Sequence, residues 1–589
     1  MEKRVLLAVF LSFLVLFVYQ SLFIQPETPP MDPDRAQVST TTASQSPPPS
    51  GSEAQREKSF SETLSNKSQA VSEAEYSSAT PTVADSQIRE IVVETPNVRA
   101  VFANRGAKLT SWLLKDYFDE EGKPLELVSA DLPDDLARPF SLVLEDAELT
   151  RRLDEALFVA SHDGLELRDE PGLLSFEYED SEGLRARKDF HFEPERLPYV
   201  VTFTADVKNG GQSLNPTLRW DTGVGGASDT SGSTPYSEVP QGIFYSNGEV
   251  SRLDRGDVEE KDTYEEKFRF VGVDDHYFIA VALPEESTEV VFLPRDLTAS
   301  LGATEEEPIP VIGHTLTFAK PPVGVRHFFG PKEFGVLGLV DQELVRAIDF
   351  GWFSFLVVPL LRALKWIYGY VGNYGWSIVI LTILLNAVMF PLRHKSVVSM
   401  RKMQELQPDV KAIQNRYSKL KATDPARQKM NSELMALYRE RGVNPASGCM
   451  PMLLTMPVLF AFYSLLAVSI EIRGAPFVLW ITNLAQHDPM YVTPILMGMT
   501  MVIQQRMTPS TADPMQQKIM MFMPVMFTFM FLWAPSGLVL YWLISNIWAV
   551  GQQYITNKII GPTEARTVRP PAERRLKRVG SGQTAKTKK

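Results

Sequence analysis

The apolar segments of this chain constrain its fold more than any other feature. Residues 5–24 follow a charged start and are long enough to cross a hydrocarbon core of about 30 Å. Five more apolar segments lie in the second half, and they comprise residues 374–392, 450–470, 490–505, 518–533 and 537–555. The sequence therefore predicts an α-helical polytopic membrane protein with six transmembrane helices. Residues 1–24 form the anchor, and a cleaved signal peptide is the less favoured alternative because no small-x-small cleavage site follows.

The charge distribution predicts how these segments are oriented. Residues 25–361 carry 30 basic and 60 acidic side chains, whereas the rest of the chain carries 29 basic and 11 acidic ones. Residues 393–448 have 12 Lys and Arg against 5 acids, and residues 556–589 have 10 against 2. Because basic flanks remain in the cytoplasm, both termini are expected there, with the acidic domain on the outer side.

One more apolar stretch, residues 351–371, contains Pro359, Arg362 and Lys365. A seventh span at this point would invert every downstream segment and place the basic loops outside, against the usual charge rule. We therefore interpret residues 331–371 as an amphipathic interfacial region. Its aromatic side chains are expected at headgroup level, and they are Trp352, Trp366, Tyr368 and Tyr370.

A linker and a strand-rich domain separate the anchor from the apolar half. Residues 25–85 are rich in Ser, Thr, Pro, Gln and Glu, a composition typical of disordered linkers. Residues 86–330 contain short strand-like runs separated by turn residues, which predict an all-β sandwich. In the run YVVTFTADVKNGG the alternate apolar residues share one face, and they are Val201, Phe203, Ala205 and Val207.

The domain also contains five of the seven histidines, and the segment GVDDHYF places Asp274 and Asp275 beside His276. Their spacing matches neither a metal site nor a catalytic triad, and neighbouring residues of a strand face opposite sides. A binding or scaffolding role is therefore expected rather than catalysis, with no cofactor and no metal. The single cysteine, Cys449, is expected to pack at a membrane edge rather than to react.

Residues 393–448 are expected to form a cytoplasmic helical hairpin. An apolar stripe marks its first helix at alternating intervals of three and four residues, and it comprises Met403, Leu406, Val410, Ile413, Tyr417 and Leu420. Pro408 predicts a kink or restart, whereas the second helix is expected to begin after Asp424 and to end at Gly442. Two interpretations remain open: a coiled coil that packs on itself, and a docking surface for a ribosome, a targeting factor or a nascent chain.

Four ordered motifs in the apolar half resemble the YidC/Oxa/Alb family of membrane protein insertases. They are GNYGWSIVILT at 372–382, NPASGCMPMLLTMPVLFAFY at 444–463, APFVLWITNL at 475–484 and DPMQQKIMMFMPVMFTFMFLWAPSGLVLYWLISN at 513–546. The resemblance extends over residues 351–560. By size and class, the acidic domain is also similar to the periplasmic β-supersandwich of the Gram-negative members, which is itself similar to galactose mutarotases.

The resemblance implies an insertase and chaperone of the bacterial inner membrane rather than an enzyme. Residues 372–560 would form a five-helix insertase core around a hydrophilic groove open to the cytoplasm and the lipid, and residues 561–589 a basic cytoplasmic tail. The implied partners are nascent membrane proteins, the Sec translocon, a ribosome or targeting factor at the hairpin and tail, and the lipid bilayer. No phosphate-binding G-x-x-x-x-G-K-[ST] segment occurs in the sequence, so nucleotide hydrolysis within this chain is not expected.

The resemblance also assigns seven residues to the groove by their position, and they are Thr382, Asn386, Met456, Leu459, Met530, Tyr541 and Trp542. Ordinary helix packing explains the Met and aromatic members equally well. The family usually has arginine or lysine five residues before the proline that is Pro391 here, whereas this chain has Asn386. We therefore expect groove polarity to suffice without a fixed charge at that position.

Two other classes of protein remain as alternatives. A small-solute transporter or channel also needs polar residues within its membrane helices, although no internal repeat is visible. A tethered periplasmic sugar-active enzyme would need a catalytic constellation, which the histidine spacing does not support.

Overall fold

The computed structural model describes residues 80–119, 122–128, 136–224, 240–297, 309–417, 426–442, 450–507 and 514–560. The predicted anchor 1–24, nearly all of the predicted linker and the predicted tail 561–589 lie outside this described part, as does Cys449. The described residues comprise a strand-rich domain followed by a helical core.

Strands dominate the chain from residue 81 to residue 331. The first ten are β1 Pro81–Val83, β2 Glu90–Glu94, β3 Val98–Ala103, β4 Lys108–Phe118, β5 Pro124–Val128, β6 Ser141–Val143, β7 Val159–Ala160, β8 Gly164–Glu166, β9 Gly172–Asp180 and β10 Leu184–Phe192. The others are β11 Val200–Asn209, β12 Gln212–Leu214, β13 Thr217–Trp220, β14 Gln241–Ser246, β15 Glu249–Leu253, β16 Thr263–Glu266, β17 Phe270–Asp274, β18 Phe278–Leu283, β19 Thr288–Leu297, β20 Ile309–Phe318 and β21 Val325–Pro331. Two short helices, α1 (Ala147–Glu155) and α2 (Arg255–Glu260), interrupt them, so the domain is β-rich rather than purely β.

The described strands pair into three sheets. The largest follows the order β1-β9-β10-β11-β21-β18-β17-β14-β15, with β12 beside β11 and β7 beside β9. The other two have the orders β16-β19-β20-β13-β6 and β5-β4-β3-β2-β8. Strand β1 already pairs with β9 from Pro81 onward, so the linker predicted to reach residue 85 ends before it.

The apolar core of the β-rich domain forms because every second side chain of a strand faces inwards. Side chains of β11 at the predicted inward positions are at most 1 % exposed, which confirms the predicted face of Val201, Phe203, Ala205 and Val207. Phe203 lies opposite Phe190 of β10, with ring centroids 5.2 Å apart, and it also packs 4.9 Å from Phe140. Aromatic pairs of this kind bury large apolar areas and fix the sheet register.

Helices make up nearly all of the rest of the described chain. They are α3 Phe334–Val340, α4 Ser354–Val371, α5 Tyr374–Glu405, α6 Gln407–Arg416, α7 Ala426–Glu440, α8 Met450–Val468, α9 Val492–Met507, α10 Pro514–Met530 and α11 Ser536–Ile560. All five apolar segments of the second half therefore form the helices expected of them. By length and composition, two described segments suffice to cross a membrane, Gly351–Val371 and Tyr374–Ser399. The six spans, and the interfacial position of residues 331–371, remain predictions.

Helix α5 is longer than the predicted span, because it continues through Pro391 to Glu405. The predicted restart at Pro408 is confirmed, since α6 begins at Gln407 with that proline in its first turn. Helix α6 packs on α7, with Ile413 buried and the Tyr417 hydroxyl donating to Glu433 at 3.0 Å. Asp424 and Leu420 of the hairpin lie outside the described residues.

Contacts at one end of the helical core join it to the β-rich domain. The ring nitrogen Nε2 of His276 lies 2.7 Å from the carbonyl oxygen of Ala467, at the end of α8. Arg473, in the segment after α8, donates to the carbonyl oxygen of Phe118 at 3.0 Å. His276 therefore has a structural contact of the kind that the sequence analysis favoured over catalysis.

Candidate functional site

A pair of polar side chains lies on one face of α5, four residues apart and thus one helical turn from each other. Thr382 is fully buried, and its hydroxyl donates to the carbonyl oxygen of Ile378 at 2.6 Å. Asn386 is 4 % exposed, and its amide nitrogen donates to the carbonyl oxygen of Thr382 at 2.8 Å. Both side chains are thus buried and hydrogen-bonded within an otherwise apolar part of the helix.

Asn386 also connects α5 to α11 and to the far end of its own helix. Its amide nitrogen lies 3.4 Å from the hydroxyl oxygen of Ser545 on α11. Its amide oxygen accepts a hydrogen bond from Nη1 of Arg393 at 2.8 Å. Asn386 therefore binds the guanidinium of Arg393, whose side chain reaches back from about two turns further along the same helix.

Tyr541 completes this group of residues on the α11 side. It is 8 % exposed, it lies one turn from Ser545, and it is close enough to Arg393 to interact electrostatically. Its ring stacks on Phe462 of α8, with centroids 4.2 Å apart and planes 14° from parallel. We call the five residues of this group the polar seam, and they are Thr382, Asn386, Arg393, Tyr541 and Ser545.

Polar contacts between α5 and α11 continue towards the hairpin. The side-chain amide of Gln552 donates to the carbonyl oxygen of Phe390 at 3.3 Å. His394 Nδ1 lies 3.3 Å from the hydroxyl of Thr556. Side chains at 545, 552 and 556 recur at the intervals of one helical face, so the polar contacts of α11 with α5 lie along one side of α11.

The other four predicted groove residues are placed differently. Trp542 packs on α10 and the turn after it, with ring centroids 5.8 Å from Phe527 and 4.9 Å from Phe531. Met530, the last residue of α10, is half exposed, whereas Met456 and Leu459 of α8 are partly buried. Among the described residues, no hydrogen bond or ring contact joins these four to the polar seam, so their role in a groove remains a prediction.

Sequence reasoning missed Arg393 and Ser545 as site residues. Arg393 was counted among the basic residues flanking the span, although residues seven apart in a helix lie on nearly the same face. An arginine seven positions after an intramembrane asparagine is therefore the signal that could have found it. Ser545 is four residues after Tyr541 and could have been found by the same helical periodicity.

A cavity of about 960 Å³ lies where the β-rich domain meets the helical core. Its lining includes Tyr117, His276, Glu333, Lys365, Glu471 and Arg473. Lys365 donates to Glu333 at 2.6 Å and lies 3.5 Å from Glu471. Burial raises the pKa of the Glu471 carboxyl above its usual value, and Lys365 opposes that rise. The cavity is therefore built around an ammonium group held between two carboxylates.

Asp274 and Asp275 have structural partners rather than catalytic ones. Asp274 forms an ion pair with Lys332 at 3.1 Å, and both side chains are at most 4 % exposed. Asp275 accepts the backbone N–H groups of Tyr277 and Phe278, which fixes the turn that presents His276 to α8.

Two family models match the chain. The model described as 60Kd inner membrane protein matches residues 366–563, and the one described as YidC periplasmic domain matches residues 90–363. The "Membrane protein insertase YidC" of Geobacter metallireducens is 37% identical over 590 residues, covering 96% of this chain and 100% of that protein. The protein of the same name from Syntrophus aciditrophicus is 35% identical, with 95% and 100% covered.

A solved structure is also similar, a crystal structure titled as an active YidC insertase with the first transmembrane domain resolved. It is 19% identical, has a TM-score of 0.33, and covers 81% of this chain and 94% of that chain. Both relatives bear the name of an insertase, so the alternative of a small-solute transporter or channel is not favoured. Identity along nearly the whole length establishes that the chain belongs to the YidC family of membrane protein insertases.

Proposed function

We propose that this protein inserts membrane proteins by offering the polar seam to the polar part of a substrate while the apolar segment of the substrate enters the bilayer beside the core. The observation that carries this proposal is the buried hydrogen-bonded group at Asn386, which joins α5 to α11. Polar side chains inside apolar helices are costly and are functional candidates for that reason. The predicted groove residues Met456, Leu459, Met530 and Trp542 belong to the same proposal as its apolar walls.

The energetics of insertion favour such an arrangement. A charge at the bilayer centre costs about 2.5–3.5 kcal/mol on insertion scales. Each central Leu, Ile, Phe or Val of a substrate returns about 0.3–0.6 kcal/mol. A polar seam lowers the first cost by supplying hydrogen-bond partners, so that the apolar segment of the substrate can drive the transfer without nucleotide hydrolysis.

The proposal includes the topology predicted from the sequence. We place six spans in the inner membrane, both termini and the hairpin 393–448 in the cytoplasm, and the β-rich domain in the periplasm. Basic loops and an acidic outer domain support this orientation. The exposed aromatic rings of Trp352, Trp366 and Tyr370 support an interfacial position for residues 331–371.

The partners belong to the proposal as well. Nascent membrane proteins are the substrates, and the hairpin and the basic tail 561–589 are the surfaces offered to a ribosome or a targeting factor. The Sec translocon is the proposed partner for larger substrates, for which the protein acts as a folding chaperone. Helix α7 presents basic residues such as Lys429 and Arg439 for contacts of this kind.

Depletion of the protein in its host tests the function. We expect integration of a short single-span membrane protein to fall severalfold on depletion and to return when the wild-type chain is supplied. The variant Asn386→Leu keeps the branched shape and the number of heavy atoms of the side chain but removes both hydrogen-bonding groups, and it is expected to restore integration only partly.

A matched control is available on the same helix. Val388 is 77 % exposed and lies two residues from Asn386, so Val388→Leu changes size without touching the polar seam. We expect this variant to restore integration fully. Normal integration in depleted cells, or full restoration by Asn386→Leu, would contradict the proposal.

A further inference from the structure

We propose that the cavity where the β-rich domain meets the helical core binds the ammonium headgroup of an aminophospholipid, and that Glu471 is its anionic contact. We call this space the junction cavity. The inference goes beyond the proposed function and rests only on its topology, in which the outer ends of the core helices lie at the periplasmic membrane surface. At about 960 Å³ the junction cavity has the size of small-ligand sites, which often lie at domain interfaces.

The lining of the junction cavity is acidic. Among the described residues, Lys365 and Arg473 are its cationic side chains apart from two histidines. Five carboxylic side chains belong to the same lining, and they are Asp116, Asp119, Asp275, Glu333 and Glu471. With neutral histidines, five acids against two cations give this described lining a net charge of −3. Such a lining attracts a cationic ligand rather than an anionic one.

Glu471 is the carboxylate for which a further cation matters most. Its side chain is only 6 % exposed, and it lies 3.5 Å from Lys365 Nζ. Charge-assisted hydrogen bonds are shorter, at about 2.7–2.9 Å, and the same ammonium is closer to Glu333, at 2.6 Å. Burial raises the pKa of Glu471 above its usual value, as expected of a carboxyl whose charge is only partly balanced. Because a buried charge is costly unless it is paired, a second ammonium beside Glu471 stabilises this group.

Aromatic rings form another part of the lining, and they also suit an ammonium group. Tyr368 and Tyr374 stack with centroids 3.9 Å apart and planes 10° from parallel. Tyr117 donates its hydroxyl to Glu333 at 3.3 Å and packs edge-on against Phe278, with centroids 5.7 Å apart. The faces of such rings attract cations. The junction cavity therefore offers both carboxylate oxygens and ring faces to a cationic ligand.

The position of the junction cavity indicates a lipid as the source of the ammonium. Its lining includes Gly372 directly after α4, Tyr374 at the start of α5 and Ala467 near the end of α8. In the proposed topology these positions lie at the outer membrane surface, where aromatic side chains mark the headgroup level. Trp533 and Tyr463 also line the cavity, and they are 45 % and 38 % exposed. An ammonium headgroup at this level can enter the cavity while its acyl chains remain in the bilayer.

The contacts favour a primary ammonium over a methylated one. A primary ammonium carries N–H donors and can approach a carboxylate to about 2.7–2.9 Å, whereas a choline headgroup has no such donor. Arg473 lines the same cavity and is a suitable partner for the phosphate that the headgroup also carries. Phosphatidylethanolamine therefore fits the junction cavity better than phosphatidylcholine does.

Lipid binding to the full chain purified in detergent tests the inference. Native mass spectrometry measures how much phosphatidylethanolamine and phosphatidylcholine, with identical acyl chains, the protein retains. We expect wild type to prefer phosphatidylethanolamine by about tenfold, as for one charge-assisted hydrogen bond. Glu471→Gln keeps the shape of the side chain and removes its charge, so the preference should be lost. Glu471→Asp keeps the charge and should retain part of the preference, which separates loss of charge from misfolding.

Glu286→Gln is the control, because it removes an exposed carboxylate of the β-rich domain that does not line the junction cavity. We expect this variant to keep the lipid preference of the wild type. Equal retention of the two lipids by wild type, or the wild-type preference in Glu471→Gln, overturns the inference.

Free ethanolamine distinguishes a lipid from a soluble amine. We expect it to stabilise the chain against thermal unfolding far less than phosphatidylethanolamine does at the same concentration. Equal stabilisation by the two overturns the assignment to a lipid.

These measurements are independent of insertion, so the two proposals can fail separately. If integration continues normally in depleted cells, the proposed function fails whatever the lipid preference. If depletion blocks integration and the purified chain shows no lipid preference, only this inference fails.

Discussion

Lys365 Nζ, on α4, donates to the Glu333 carboxylate beside the β-rich domain at 2.6 Å. The same ammonium lies 3.5 Å from Glu471, whose side chain is only 6 % exposed. One lysine of α4 thereby links the segment between β21 and α3 to the segment after α8. This group of charges lines the cavity where the β-rich domain meets the helical core.

We expect Lys365→Met to destabilise this junction, because it leaves the buried Glu471 without its cation. Removing one partner of a buried pair costs about 3–5 kcal/mol, and partial exposure of Lys365 reduces the expected loss to about 1–2 kcal/mol. Thermal unfolding of the purified chain in detergent measures it. Lys320→Met, which removes an exposed pair with Glu286, is the control and should leave stability unchanged. Equal losses of stability in the two variants would contradict a specific contribution of Lys365 to this junction.

The β-rich domain should lose stability in mild acid because it buries two neutral histidines. Burial lowers the pKa of His314 to about 4 and that of His327 to about 3, from 6.5. Between pH 6.5 and about 4 the unfolded chain therefore binds more protons than the folded chain, so stability falls as the pH falls through this window. At about 1.4 kcal/mol per pKa unit, the two histidines together account for a loss on the order of several kcal/mol across this window.

Denaturant unfolding at several pH values checks this expectation. His327→Phe preserves the stacking on Phe329 and removes one titrating group, so the slope of stability against pH should become shallower. His162→Gln, at an exposed position, should leave the slope unchanged. A slope identical in wild type and His327→Phe would contradict the attribution of the acid sensitivity to the buried histidines.

Helices α9 and α10 cross closely at Gly498. A Cβ atom at this position would lie 2.0 Å from the hydroxyl oxygen of Thr528 and 3.1 Å from its Cβ. We expect Gly498→Ala to push the two helices apart and to cost about 1–3 kcal/mol, as overpacking does. Gly551→Ala on α11 meets nothing within 4 Å and should be neutral or slightly stabilising. Thermal unfolding of the two variants in detergent distinguishes them. A loss of stability in Gly551→Ala as large as in Gly498→Ala would contradict this explanation.

Tyr541 contributes to the polar seam through its ring as well as through its hydroxyl. Because the ring stacks on Phe462, Tyr541→Phe should keep α8 and α11 in register and retain most insertion. Tyr541→Ala removes the stack and should lower insertion severalfold. Integration of the same single-span substrate measures both variants. If the Phe variant were as defective as the Ala variant, the hydroxyl would be the essential group.

Much of the fold could be predicted because local patterns determine it. The inward face of β11, the five apolar helices and the restart at Pro408 each depend on periodicity or on one proline, and the structure confirms them. The sheet order could not be predicted, because β21 pairs with β11 across more than a hundred residues. The early start of the domain at β1 was missed for the same reason, since its partner β9 is distant in sequence.

The polar seam was predicted only in part. Thr382, Asn386 and Tyr541 share the region that the resemblance indicated, whereas Trp542 faces α10, because successive residues of a helix point about 100° apart. The contact of Arg393 with Asn386 was not predicted, because charge counting treats a basic residue after a span only as a cytoplasmic flank. The side chain instead runs back along its own helix, which neither composition nor hydropathy can indicate.

Disulfide trapping of a nascent chain tests the central claim most directly. Cys449 is the only cysteine, so Cys449→Ser gives a background for single cysteines at Thr382, Asn386 or the exposed Val388. Ribosome-bound chains of the single-span substrate, with one cysteine in the polar segment, are then oxidised during insertion. We predict disulfides to Thr382→Cys and Asn386→Cys and few to Val388→Cys. Trapping that is equal at all three positions, or absent from the two polar ones, would contradict insertion along the polar seam.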